Sequence, residues 1–190
     1  MQHEIVVAGF GGQGVLLLGK ILAYAALLEE KQVTCISSYG VEMRGGTANC
    51  SVVISDQPIG SPFVTEPTVG VVLNAPSFEK FEPLIAEGGV LIVNSSLIPN
   101  PSFRTDIRTY RIPCSDIALE LGNPKAANLV ALGCLLAATG AVSQTAVSGA
   151  IAHLFADKKV SLSSLEEAVR RGADLATKEA VVAEAEPTCK

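Results

Sequence analysis

Hydrophobic and polar positions follow two periods along the chain, one typical of strands and one typical of helices. Residues 4–8 form a short apolar run rich in β-branched side chains, and this run ends at a cluster of four glycines at residues 9–14. Apolar residues then recur at helical spacing over residues 15–28. This pattern predicts a strand, a glycine-rich loop and a helix, in that order.

The alternation continues to the end of the chain. Strands are predicted at 33–37, 47–55, 68–74, 89–95 and 108–112, and helices at 76–86, 115–121, 129–139, 143–155 and 161–184, with Ser115 as a helix cap. Such alternation predicts a three-layer, Rossmann-like α/β fold, with a mostly parallel sheet, helices on both faces and a helical C-terminal part. We expect residues 1–186 to form this single domain and 187–190 to be a flexible tail.

Composition narrows the class of protein. The chain has 190 residues, 48% of them apolar and 17% charged, and its mean hydropathy of +0.39 indicates apolar surface available for a partner. The longest apolar stretch, 129–142, is shorter than the roughly 20 residues that a membrane-spanning helix needs. The start of the chain lacks the basic residues of a signal peptide, and a net charge of −5 without a basic stripe argues against nucleic acid. We therefore expect a cytoplasmic protein that binds neither membrane nor nucleic acid.

The five cysteines show no metal-binding pattern. Their number is odd, and no two of them form a CxxC pair: Cys35, Cys50, Cys114, Cys134 and Cys189. Cys35 and Cys50 lie in apolar strand-like segments and Cys134 in an apolar helix, so the sequence predicts that these three are small core residues in a reducing compartment. An iron–sulfur cluster usually takes four thiolates in tight runs, so the chain is not expected to hold one.

The glycine cluster has the spacing of a phosphate-binding loop. Gly9, Gly11 and Gly14 match G-x-G-x-x-G between a predicted strand and a predicted helix. Glycines permit a tight turn, and the free N–H groups of a helix N-terminus favour an anion. The acid that a nicotinamide dinucleotide site needs after the second strand is replaced here by Ser37 and Ser38. The loop could contact an anion or carrier group, bind a dinucleotide, or only allow tight packing.

A second loop, at residues 39–46, carries charge between glycines. It contains Glu42 and Arg44, which could pair with each other or bind a partner. Arginine is a bidentate donor for carboxylate or phosphate. Both loops follow predicted parallel strands, so we expect them side by side at the edge of the sheet where ligands bind.

Together the two loops resemble a known family. The segment Gly-Phe-Gly-Gly-Gln-Gly-Val from residue 9 and the segment Ser-Tyr-Gly-Val-Glu-Met-Arg-Gly-Gly from residue 38 are similar to the gamma subunit of 2-oxoacid:ferredoxin oxidoreductases. Asn-Leu-Val-Ala-Leu-Gly from residue 128 fits the same family, and the resemblance covers residues 5–155. The 2-oxoglutarate (KorC-like) branch is the most similar. The resemblance implies a complex that decarboxylates a 2-oxoacid oxidatively, forms an acyl-CoA and reduces ferredoxin.

Within such a complex the resemblance implies that alpha and beta subunits, with a delta subunit as a further partner, bind thiamine diphosphate, magnesium and the iron–sulfur clusters. The resemblance also implies that coenzyme A is a co-substrate, and we expect this chain to bind no metal or cofactor alone and to supply no catalytic residue. The resemblance marks Gly9, Gly11, Gly12, Gln13 and Gly14 as one signature and Tyr39, Gly40, Glu42, Arg44, Gly45 and Gly46 as another.

Our hypothesis is that both loops face the thiamine-bearing subunits and shape the CoA channel, with Arg44 contacting a phosphate or a partner carboxylate. Two rivals are a free-standing nucleotide-binding regulatory domain and a small NAD(P)-linked oxidoreductase. Ser37 and Ser38 count against the second rival. Without its partners, the exposed apolar surface is expected to favour self-association of the isolated chain.

Overall fold

The computed structural model describes residues 1–39, 47–158 and 160–185. In this part of the chain, six strands form one sheet in the order β2-β3-β1-β4-β5-β6. The strands are β1 (Gln2–Phe10), β2 (Gln32–Tyr39), β3 (Thr47–Ser55), β4 (Val69–Val72), β5 (Val90–Asn94) and β6 (Arg108–Ile112). The strand predicted at 108–112 is confirmed at both ends.

Six α-helices accompany the described strands. They are α1 (Val15–Leu28), α2 (Ala75–Phe81), α3 (Cys114–Glu120), α4 (Ala127–Thr139), α5 (Gln144–Leu154) and α6 (Leu162–Ala185), with 3₁₀ turns at Glu82–Leu84 and Pro124–Ala126. None of these helices, within the residues described, has the length and apolar character needed to cross a bilayer.

The sheet is mostly parallel, as the sequence predicted. β1, β4, β5 and β6 pair in parallel, whereas β3 pairs antiparallel with both β1 and β2. β3 therefore separates β1 from β2, although β2 follows β1 in the chain. The sequence did not predict this position of β3, because strand pairing depends on contacts between distant segments.

Apolar side chains alternate between the two faces of the sheet, and each face has its own core. Ile5 and Val7 of β1 join the larger core together with α1, α4, α5 and α6. Val6 and Ala8 join a smaller core that α2 covers. This alternation follows from the two-residue period of a strand, and it confirms helices on both faces.

Three expectations about local structure were wrong. The helix predicted to reach residue 86 ends at Phe81, because Pro83 has no N–H to continue the helical hydrogen bonds. Ser115 is not a cap, since α3 already begins at Cys114. Cys35 is exposed instead of buried, because β2 is an edge strand of the described sheet.

Candidate functional site

The glycine-rich loop forms a tight turn between β1 and α1, which confirms the predicted strand, loop and helix. The backbone N–H of Gln13 donates to the Phe10 carbonyl at 3.1 Å, and the Phe10 N–H donates to the Gln13 side-chain Oε1 at 2.6 Å. A Cβ at Gly9 would lie 2.7 Å from that same oxygen, so only glycine leaves room for the Gln13 amide. Gly14 caps α1 with a φ of +77°, a left-handed conformation that favours glycine.

The Gln13 side chain ties this loop to the end of β4. Its Nε2 donates to the Leu73 carbonyl at 3.1 Å, and its Oε1 accepts from Asn74 Nδ2 at 3.3 Å. Asn74 also caps α2, because its Oδ1 accepts from the Ser77 N–H at 2.9 Å. One amide therefore fixes the glycine loop relative to the neighbouring parallel strand.

A second buried amide lies at the end of β5. Asn94 Nδ2 donates to Ser115 Oγ at 2.9 Å, and Asn94 Oδ1 accepts from the Ser115 N–H at 3.3 Å. Sequence reasoning missed both Asn74 and Asn94. The signal that could have found them is an asparagine directly at the end of a buried apolar strand, because parallel strands end at a shared edge.

Asn128 connects the glycine loop to α4. Its Nδ2 donates to the Gly14 carbonyl at 3.0 Å, across 114 residues of sequence. The side chain is buried, and its Oδ1 has no hydrogen-bond partner among the described residues. Asn128 opens the third segment on which the family resemblance was based, and the structure places it against the first.

A cavity of about 180 Å³ opens at this edge of the sheet. It lies at the ends of the neighbouring parallel strands β1, β4 and β5. The connection after β1 leads to one side of the sheet order and the connection after β4 to the other, and open α/β sheets bind ligands in the crevice at such a point. Its lining combines the glycine loop, the ends of two strands and the start of α4: Gly12, Gln13, Leu73, Asn94, Ser115, Pro124, Lys125 and Ala127.

The charge of the cavity suits an anion. Lys125 is the charged residue of the described lining, and no acidic side chain lies in the first turn of α1 or α4. The N-termini of both helices come together here through the bond from Asn128 to Gly14. Helix N-termini carry partial positive charge, so the site favours phosphate or carboxylate.

The second predicted loop lies mostly outside the described residues. This applies to Gly40, Glu42, Arg44, Gly45 and Gly46. The strands that flank it are described: Tyr39 of β2 pairs with Ala48, and Thr47 of β3 pairs with Phe10. Both ends of the connection therefore reach the edge that carries the glycine loop. Contact between the two loops stays a prediction.

The position of β2 weakens the dinucleotide interpretation further. Ser37 and Ser38 lie on β2, and β3 separates them from β1. Strands are about 4.8 Å apart, so the end of β2 is about 10 Å from β1 rather than beside it. An acid at the end of β2 would be poorly placed for a ribose bound over the glycine loop. Among the described residues, no cluster of three or more His, Cys, Asp or Glu side chains could hold a metal ion.

Sheet order, glycine loop and edge cavity define a Rossmann-like α/β subunit with a crevice that is lined by Lys125 and the glycine loop. Residues 4–175 match the family described as Pyruvate ferredoxin/flavodoxin oxidoreductase, and the chain belongs to this family. It is 41% identical over 154 residues to 2-oxoglutarate synthase subunit KorC of Methanocaldococcus jannaschii, covering 80% of this chain and 82% of that protein. The resemblance to gamma subunits is confirmed.

Further relatives support the same assignment. Ketoisovalerate oxidoreductase subunit VorA of Methanothermobacter thermautotrophicus is 38% identical over 91% of this chain, which spans only 36% of that longer protein. The oxoacid ferredoxin oxidoreductase gamma subunit of Geobacter sulfurreducens superposes with a TM-score of 0.78 at 30% identity, over 93% of this chain and 99% of that one. The 2-oxoglutarate:ferredoxin oxidoreductase of Magnetococcus marinus, with 2-oxoglutarate, coenzyme A and succinyl-CoA bound, gives a TM-score of 0.85 at 25% identity, over 93% of this chain and 31% of that one.

Proposed function

We propose that the chain is the non-catalytic gamma subunit of a 2-oxoglutarate:ferredoxin oxidoreductase, and that its edge cavity receives a phosphate-bearing part of coenzyme A. The complex would convert 2-oxoacid, CoA and oxidised ferredoxin into acyl-CoA, CO₂ and reduced ferredoxin. The similarity to KorC supports 2-oxoglutarate as the substrate. We expect the complex to be cytoplasmic.

The observation that carries the proposal is the cavity lined by Lys125 and the glycine loop at the N-terminus of α4. CoA carries phosphates at one end and its reactive thiol at the other, so an anion site fixes the end that does not react. Phosphates commonly bind to backbone N–H groups and ammonium groups, and the dipole of a helix N-terminus adds to the attraction. A positioning role of this kind lowers KM without taking part in bond breaking.

The size of the cavity limits what it can hold. Its volume of about 180 Å³ is below the roughly 300–1,000 Å³ of pockets that enclose a drug-sized ligand. CoA is larger than such ligands, so this chain would hold part of it and a partner subunit the rest. Arg44 is the second candidate for contact with a phosphate, or with a carboxylate of the partner.

The chemistry of decarboxylation is assigned to the partners. We propose that thiamine diphosphate, magnesium and the iron–sulfur clusters lie on the alpha and beta subunits and on a delta subunit, and that ferredoxin docks on the assembled complex. The Magnetococcus marinus relative, which binds CoA and is about three times the length of this chain, supports a gamma region working beside other domains.

Lys125→Gln tests the CoA contact in the reconstituted complex. Lys125 is exposed on a 3₁₀ turn, so the variant should fold normally. Loss of a charge-assisted contact worth about 1.5–3 kcal/mol predicts a rise in CoA KM of about 10-fold or more, with kcat and the KM for 2-oxoglutarate unchanged. Steady-state kinetics at varied CoA measure this.

Lys80→Gln is the matched control, because Lys80 is also exposed but lies on α2, which covers the other face of the sheet. It should leave CoA KM unchanged. Arg44→Ala is tested in the same assay and by co-purification with the partner subunits. An unchanged CoA KM in both the Lys125 and the Arg44 variants, with intact assembly, would overturn the CoA role. Activity with pyruvate but not with 2-oxoglutarate would overturn the proposal that 2-oxoglutarate is the substrate.

A further inference from the structure

Two cysteines lie side by side on the outermost hairpin of the described sheet. The Sγ atoms of Cys35 on β2 and Cys50 on β3 are 3.4 Å apart. Cys35 pairs in register with Val52, and Cys50 pairs with Ser37, so the two cysteines are diagonal neighbours. Diagonal residues on paired strands share a face of the sheet, and their side chains can touch.

The backbone of α1 holds the Cys50 sulfur in place. A Cβ at Gly19 would overlap Cys50 Sγ, so the sulfur lies directly against the glycine of the helix. Cys50 is fully buried in the larger core. Its sulfur therefore cannot move towards α1, and it lies in contact with the Cys35 sulfur on the other side.

Cys35 differs from Cys50 in its access to solvent. Cys35 is exposed on the edge strand, whereas Cys50 is buried. The hydrogen bond from the Cys50 thiol lowers the pKa of Cys35 to about 7, and the Lys20 ammonium acts in the same direction against partial burial. The same hydrogen bond and burial raise the pKa of Cys50. One thiol is thus reachable and nucleophilic, and the other is sheltered beside it.

We propose that Cys35 and Cys50 are a redox modification site that closes to a reversible disulfide when it meets a low-molecular-weight disulfide. The Cys35 thiolate attacks one sulfur of that reagent, its S–S bond breaks, and a small thiolate leaves and takes up a proton. Cys50 then loses its proton to solvent, attacks the Cys35 sulfur and releases the second small thiol. The two cysteines lose two electrons and two protons, which reduce the small disulfide to two thiols.

The distance between the two sulfurs sets the movement that closure of the bond requires. A disulfide has an S–S length of about 2.0 Å, so the sulfurs at 3.4 Å must approach by about 1.4 Å. Diagonal residues on paired strands are about 7–8 Å apart, at the upper limit for a disulfide, so closure needs a shift of β2 as well as rotation of the Cys35 side chain. Such a shift is possible because β2 has no neighbouring strand on its outer side in the described sheet.

The disulfide would close a covalent ring that includes the second family signature, residues 39–46. The cysteines are 15 residues apart, and residues 39–46 lie between them in the sequence. Oxidation would covalently join the two strands that lead into and out of that segment. The proposal does not depend on the CoA role, because it concerns thiols on β2 and β3 rather than the edge cavity.

The test uses the full chain in a Cys189→Ser background, reduced and then incubated with oxidised glutathione under native conditions. Remaining thiols are blocked in denaturant, and peptides are mapped by mass spectrometry. We expect a Cys35–Cys50 linked peptide as the main product and an intact mass lower by two hydrogens. At pH 7, Cys35 should react about threefold faster in the folded chain than in the chain unfolded in urea, because its larger thiolate fraction outweighs its lower intrinsic nucleophilicity.

Variants separate the two roles. Cys50→Ala should accumulate a stable glutathione adduct on Cys35, whereas Cys35→Ser should give neither adduct nor internal bond. Cys114→Ala is the matched control with the same products as the parent, because burial raises the pKa of Cys114 to about 12 and removes it from the reaction. A glutathione adduct on Cys35 that persists in the parent chain, or an unmodified Cys35, overturns the proposal. If a variant does not fold, the peptide map of the parent chain alone still decides between these outcomes.

Discussion

At the scale of single residues, the site depends on side-chain amides that end or follow apolar strands. The Gln13 side chain is hydrogen-bonded to the backbone of Phe10 at the end of β1 and of Leu73 after β4. Asn94 is paired with both the side chain and the backbone of Ser115. Gln13 lies inside a local motif, so the sequence marks it. Asn94 and Ser115 are 21 residues apart, and a sequence pattern carries no information on such a contact.

The exposure of Cys35 shows a second limit of the pattern. Cys35 and Cys50 lie in segments of similar apolar character, and the sequence predicted the same burial for both. β3 is covered by strands on both sides, whereas β2 is an edge strand of the described sheet. Burial was therefore decided by the order of strands, which is a property of the whole sheet.

The altered acidity of Cys35 leads to a prediction on pH dependence. Its pKa of about 7 means that the thiolate, the reactive form, is lost as pH falls through 7. The alkylation rate of Cys35 by iodoacetamide should therefore rise with a midpoint near pH 7, against about 8.5 for an ordinary cysteine. Mass spectrometry of the Cys35 peptide after timed alkylation measures this.

The groups that face Cys35 provide the control. Cys50→Ala removes the hydrogen bond that is the largest cause of the lowered pKa, and Lys20→Gln removes the smaller electrostatic contribution. Both should move the midpoint to higher pH, and Cys50→Ala should move it further. A parent midpoint at or above 8.5 would contradict the proposed role of Cys50.

At the scale of elements, α4 and α6 make a contact so close that glycine is required on both helices. A Cβ at Gly133 would overlap the Val169 carbonyl, and a Cβ at Gly172 would overlap the Val130 carbonyl. The small residues of α4 could also have been explained by a subunit interface. The structure instead uses Gly133 for packing within the chain.

Gly133→Ala should destabilise the chain by about 2–3 kcal/mol, because the new methyl group meets backbone that cannot move aside. Gly149→Ala is the matched control on α5. Its Cβ would meet only the end of the Leu28 side chain, at 3.0 Å, and alanine favours the helix. Urea unfolding of the two variants measures the difference, and equal midpoints would sink this account of the helix crossing.

The ends of elements were predictable where a single residue decides them. Gly140 ends α4 in a left-handed conformation with φ of +62°, and Ser143 caps α5 by accepting from the Ala146 N–H at 3.1 Å. Both break and cap follow from local chemistry. The end of α2 was missed because the helical period continues past Pro83 although the backbone hydrogen bonds cannot.

At the scale of the whole molecule, the chain exposes apolar groups that the fold does not use. Phe63 is 73% exposed and Phe103 is 88% exposed, in the segments after β3 and after β5. In the proposed complex, surfaces of this kind would meet partner subunits. A chain purified alone keeps them in contact with water, which favours association.

We expect the isolated chain to self-associate, and Phe63→Ser combined with Phe103→Ser to return it to a mass of 19.7 kDa. Light scattering coupled to size-exclusion chromatography measures both masses. Replacing two exposed side chains should leave the thermal midpoint within a few degrees of the parent. A single-chain mass for the parent at high concentration would contradict the prediction.

The insertion of β3 beside β1 also affects how the chain is made. β1 is synthesised before both of its neighbours in the sheet, β3 and β4, and β4 ends at Val72. At roughly 5–20 residues per second, a ribosome needs about 3–12 s between completing the first strand and completing its second neighbour. During that interval the apolar strand β1 of the nascent chain has an unpaired edge, so this strand is where we expect chaperones to bind during translation.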